Sequence, residues 1–172
     1  MWHKYIGGTI MGITDGIKSL LGNVVGKDTN ENQPKDDGNS MSKKELILKT
    51  LKKMGYSPVV DSDGDIMLCY QMKHIWVMTD DEDEPYVSVM LPQFHEIDEG
   101  HEILALVVCN KMTRELKLAK VYIDQTFKTV TATCEFFYAN EESLEQNLLH
   151  SLQMLGVVRT VFRNDIAELS ED

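Results

Sequence analysis

Carboxylates bunch at two places in this chain. Asp61, Asp63 and Asp65 alternate within VVDSDGDIMLCY, residues 59–70. Alternating carboxylates are what a calcium loop offers as its first oxygen ligands. Such a loop also needs a glycine at its sixth position and a glutamate at its twelfth. Counted from Asp61, those positions hold Ile66 and Met72. The chain then enters a strand pattern rather than a helix. Asp63-Gly64 reads instead as a hairpin turn, because glycine takes positive φ freely. The second cluster is FHEIDEGHE, with His95, Glu96, Asp98, Glu99, His101 and Glu102. A zinc-binding H-E-x-x-H motif puts both imidazoles on one helical face. Here the two histidines are six residues apart. That is about 240° around a helix, so they would diverge.

Nucleophiles fare no better. Cys109 lies in the apolar ALVVCNK, where burial raises a thiol's pKa and blunts it. His150, in NLLHSLQ, reads as a histidine at the edge of a core. The chain has no G-x-S-x-G, no P-loop and no G-x-G-x-x-G. No catalytic, metal or cofactor set emerges, so a non-enzyme is expected, with a metal-dependent enzyme using the acidic and histidine clusters as a remote alternative. His74 and Trp76 share one face of a strand and can line a groove. They are candidate partner-binding residues.

Bulk properties narrow the partners. The formal net charge is −11 over 172 residues. Nucleic-acid binding needs a basic footprint to displace phosphate counterions, so it is excluded. Protein partners fit better. The cysteines, Cys69, Cys109 and Cys134, are odd in number and far apart. They are not a disulfide framework. Each sits in an apolar run, which predicts buried, reduced thiols in a cytoplasm-like compartment. No apolar run reaches the roughly 20 residues that cross a bilayer.

Residues 1–26 stand apart. Ile6, Ile10, Ile13, Ile17, Leu20 and Val24 form a seam down one helical face, with Gly8, Gly12 and Gly16 as a second stripe. Each glycine costs about 1 kcal/mol against alanine in a free helix. An amphipathic helix here needs something to pack on, and its seam is a further candidate partner-binding set. The partner is its own domain or a second copy of the chain. A membrane surface is the alternative, although Lys4 and Lys18 are the only cations on the polar face. A disordered leader is the third reading. A secretory signal matches poorly, for want of a strongly basic start and a cleavage site. Residues 27–41 are polar and rich in Asp, Asn and Gly, and read as a flexible linker.

The compact domain is expected over residues 42–172. Ser42 and Glu45 form a capping box ahead of a helix from about Lys43 to Met54, stopped by Gly55. Three period-two segments follow: IMLCY, HIWVMTD and YVSVMLP. The acidic run Asp80–Glu84 is the solvated tip between the last two. A second helix is predicted from about Asp98 to Arg114, deeply buried over Ile103–Cys109 because that stretch is apolar nearly all round. KLAKVYID and KTVTATCEFFYA form a strand pair joined at residues 125–127. A last helix starts after Asn140, with a bend at Gly156. The fold class is therefore α+β: a twisted antiparallel sheet, meander plus strand pair, packed on helices.

This order resembles the YbjN family, which looks like the class I type III secretion chaperones in fold. The residues that carry the likeness are VVDSDGDIMLCYQMKHIWV after the capped helix and LALVVCNKMTRELKLAKVYID across the helix-to-strand passage, within residues 42–169. The resemblance implies a non-enzymatic protein-binding module that takes a protein partner or client, acts in the cytoplasm and is often a homodimer. It brings no catalytic residues. The N-terminal helix and linker depart from the family pattern.

Overall fold

The computed structural model describes residues 41–79 and 84–170. They belong to the unit Ser40–Asp172. The seam residues Ile6, Ile10, Ile13, Ile17, Leu20 and Val24, and nearly all of the linker, lie outside the described residues. So does most of the acidic run between the third and fourth strands.

The elements are α1 (Lys43–Lys53), β1 (Val59–Val60), β2 (Ile66–Tyr70), β3 (Lys73–Met78), β4 (Tyr86–Glu96), α2 (Glu102–Glu115), β5 (Ala119–Ile123), β6 (Thr129–Phe137) and α3 (Glu141–Ser170). The α+β expectation holds, and the strands join into one six-stranded sheet of order β1-β2-β3-β4-β6-β5. Every neighbouring pair is antiparallel. The meander and the strand pair meet where β4 lies against β6.

Local chemistry explains the helix starts. The Ser42 hydroxyl accepts the Glu45 amide at 3.2 Å, and the Glu45 carboxylate accepts the Ser42 amide at 2.9 Å. The predicted capping box is present. Asn140 accepts the Ser143 amide at 2.9 Å and so caps α3. One face of the sheet is dry. Ile66, Leu68, Ile75, Val77, Val87, Val89, Val130, Ala132 and Cys134 are buried there. α3 covers β4 and β6, with α1 against α3 and α2 against β5. Leu144, Leu148, Leu152, Leu155 and Phe162 of α3 complete the core. Lys49–Glu141 and Lys53–Glu145 join α1 to α3 as exposed ion pairs. Pairs of this kind contribute little, about 0–1 kcal/mol each.

Five expectations need correction. β4 runs eleven residues, past Pro92 to Glu96. It absorbs Pro92 by a register shift between Leu91 and His95, since proline in a strand belongs at a bulge. Consequently α2 starts at Glu102, not near Asp98. Gly100 adopts a φ of +86°, a left-handed turn that ends the strand's overhang before the helix begins. Within α2, Ile103, Leu106 and Val107 are 72%, 39% and 51% exposed, whereas Ala105, Val108, Cys109 and Met112 are buried. The apolar stretch is therefore only half buried, because one side of α2 rests on the sheet and nothing among the described residues covers the other. Cys69 is exposed, being on the outward side of β2. α3 continues through Gly156 as one helix. A Cβ there would sit 2.9 Å from Tyr70 Cε1 and Gln71 Oε1, so the glycine admits the β2–β3 hairpin.

Candidate functional site: the uncovered face of the sheet

Period-two alternation sends every second strand residue to the face that no described helix covers. The register aligns one row across all six strands: Val59, Met67, Trp76, Met90, Thr133 and Lys120. Met67, Trp76 and Met90 are half-buried and adjacent. Unbranched methionines beside a tryptophan make an adaptable apolar surface. His74 stands next along β3, exposed, with its ring edge-on to Trp76 at 6.2 Å and 81°. The two strand residues singled out from the sequence thus lie together on this face.

The aspartate turn positions the tryptophan. Asp61 Oδ1 accepts the amides of Asp63 and Asp65, each at 3.0 Å. Its Oδ2 accepts the Trp76 indole N–H at 3.3 Å. Gly64 takes a φ of +92°, the left-handed conformation the turn requires. Asp65, buried, accepts the Thr79 amide at 3.1 Å, and the Thr79 hydroxyl donates to the Gly64 carbonyl at 3.1 Å. The turn is a hairpin between β1 and β2, and the carboxylates of Asp61 and Asp65 are engaged with protein donors. Among the described residues no group of three or more His, Cys, Asp or Glu side chains is placed to hold a metal.

The other half of the face is polar. Glu135 pairs with Lys120 and receives the Thr133 hydroxyl at 3.4 Å. Burial, then a hydrogen bond to Glu135, pushes the Tyr86 phenol well above its ordinary range. Tyr86 also packs on Phe137, with ring centroids 5.3 Å apart. The face therefore divides into an apolar side on β2–β4 and a hydrogen-bonded side on β5–β6.

The remaining candidates are scattered. His95 is on the end of β4 and packs on Phe162 at 4.8 Å. Burial lowers its pKa; the Asp98 charge opposes this and the Arg159 and Arg163 charges add to it. His101 precedes α2 without a side-chain capping bond. His150 is exposed on α3 rather than at a core edge. Cys109 is buried as expected, and burial pushes its thiol up to about 12. None of these converges on another as a reaction would need.

The sheet's edges matter as much as its face. Asp124 donates its amide to Thr129 across the β5–β6 turn, which fixes the pairing phase. The Val121 amide and carbonyl then point away from β6. Thr113 of α2 takes both: its hydroxyl accepts the Val121 amide at 2.8 Å and donates to the Val121 carbonyl at 3.0 Å. At the opposite edge β1 is two residues long. Short or covered edges resist pairing with other chains.

Residues 42–169 match the model of TY-Chap1, described as T3SS (YopN, CesT) and YbjN peptide-binding chaperone 1. The chain belongs to this family. The crystal structure of YbjN from E. coli matches with a TM-score of 0.51 at 11% identity, over 70% of this chain and 89% of that one. At that identity the likeness is one of fold. A search of curated proteins finds no match. TY-Chap1 is a family of peptide-binding chaperones, the kind of module the sequence resemblance implied. No helix among the described residues is long and apolar enough to cross a membrane.

Sequence reasoning singled out His74 and Trp76 as strand neighbours but not Met67, Met90 and Asp61 beside them, nor Thr113 at the β5 edge. Period two already sends Met67 and Met90 outward. Their alignment with Trp76 depends on register, which a single strand does not reveal.

Proposed function

We propose that this TY-Chap1 member is a non-enzymatic, chaperone-like binding module that holds a peptide segment of a client on the uncovered sheet face. The observation that carries this is the Met67–Trp76–Met90 row, half-buried, contiguous, and steadied by the bond from Trp76 to Asp61. A full aromatic or methionine side chain gains about 1.5–3 kcal/mol on complete burial. Finishing the burial of three such side chains is enough for a reversible, moderate-affinity contact, which is what a holding function requires. The family's peptide-binding description supports the same assignment.

A second copy of the chain is the other proposed partner, supported by the uncovered Ile103, Leu106 and Val107 of α2. The seam Ile6–Val24 is taken as a protein-binding helix. Liposome co-sedimentation would reveal a membrane role instead. The three free thiols suit a reducing, cytoplasmic compartment.

The test is a peptide array probed with full-length protein, wild type against Met90→Glu. Peptides that bind wild type and lose the variant, with its melting curve unchanged, support the site. Binding that survives the substitution would place the client elsewhere.

A further inference from the structure

We infer that the uncovered face receives an amphipathic helix rather than an added strand. The inference rests on the proposed client site above. A strand bound to a sheet gains its affinity from main-chain hydrogen bonds at an open edge. Here the middle of the β5 edge is occupied. The Thr113 hydroxyl lies 2.8 Å from the Val121 nitrogen and 3.0 Å from its oxygen, where an incoming strand would place its own carbonyl and amide. The β1 edge offers one residue's outward amide and carbonyl. Asp61 donates to Asp65 across the hairpin, so Val59 faces Met67 in a hydrogen-bonded pair and only Val60 turns its backbone outward.

The face itself presents side chains. Its apolar half is Met67, Trp76 and Met90, one from each of three adjacent strands. Neighbouring strands are about 4.8 Å apart. Successive turns of a helix repeat at about 5.4 Å, close to that spacing. A ligand laid on this row must bury apolar side chains while finding no main-chain partners. Its own amides and carbonyls must then be satisfied internally, which a helix does and an extended segment does not. The occupant is an amphipathic helix with apolar residues at i, i+3, i+4 and i+7.

The experiment uses full-length protein and two dye-labelled synthetic peptides of equal composition, built from leucine, lysine and glutamine. One carries leucine at helical spacing and the other at alternate positions. Binding is read by fluorescence anisotropy and bound conformation by the far-ultraviolet difference spectrum. The helical-pattern peptide is expected to bind at least about tenfold tighter, roughly 1.4 kcal/mol, and to gain helix signal on binding. Trp76→Ala and Met67→Gln should each weaken it, and either variant with an unchanged melt suffices. Tighter or equal binding of the alternating peptide, or a gain of strand signal, overturns the helix inference. If that binding is still lost in Trp76→Ala, the client site stands without the helix. Binding of neither peptide, or binding indifferent to both substitutions, overturns the two together.

Discussion

Removing the Asp61 carboxylate should loosen the β1–β2 hairpin and the Trp76 indole together. Asp61 accepts three hydrogen bonds: the Asp63 and Asp65 amides at 3.0 Å and the Trp76 N–H at 3.3 Å. Each intramolecular hydrogen bond contributes about 0.5–1.5 kcal/mol net. The turn is largely solvent-exposed, so the lower half of that range applies, and Asp61→Ala should cost about 2 kcal/mol. Asp61→Asn keeps a carbonyl oxygen for the two turn amides but turns an NH2 group toward the indole N–H. It should lose about 1 kcal/mol, the share of a single bond. For a domain of this size 1 kcal/mol is roughly 3–4 °C of melting temperature. Thermal denaturation should therefore rank wild type above Asn above Ala, with the alanine variant about 6–8 °C down. Peptide affinity should fall in the same order, because Trp76 is no longer held. An alanine variant melting within about 1 °C of wild type would refute this assignment of the turn. So would a calcium-induced rise in wild-type melting that Asp61→Ala abolishes, since the carboxylates would then be ligands.

Thr113→Val removes the hydroxyl that serves both Val121 groups. Leaving them unmet costs about 1–3 kcal/mol, and Thr113→Ser should recover most of it in chemical denaturation. Faster exchange of the Val121 amide by hydrogen–deuterium measurement is expected in the valine variant only. Gly156→Leu must displace Tyr70 and Gln71 from α3, an overpacking worth about 1–3 kcal/mol, checked by denaturant melts against Gly156→Ala. Iodoacetamide near neutral pH should label Cys69 alone in the native protein and all three cysteines in denaturant, read by mass spectrometry. The Cys109 and Cys134 thiols are each pushed up to about 12 by burial. Their folded pKa exceeds the unfolded value of about 8.5. The protonated thiol is thus favoured by folding, and stability should be full below that value and decline as pH rises above it.

How much of this was legible in the sequence depends on whether the deciding interaction is local. The Ser42–Glu45 box and the Asn140 cap act within three residues of themselves, and both were readable. The D-x-D-G turn was readable as a turn, because Gly64 and the failed calcium count are local facts. Its reach to Trp76, fifteen residues on, was not. The limit of α2 shows the same division. Acidic residues from Glu96 onward suit a helix start, yet β6 extends far enough to pair Glu96 with Thr129 and so keeps the segment in the sheet. The exposure of Ile103, Leu106 and Val107 is a stronger case. A stretch apolar all round is a sign of burial on all sides, and among the described residues only one side of it is buried. Composition was asking for a cover that the described residues do not provide. The sheet's other face makes the same demand at Met67, Trp76 and Met90, while Thr113 occupies the middle of the β5 edge. Where local pattern and tertiary packing disagree on a protein's surface, the unmet apolar residues are the place to expect a functional contact.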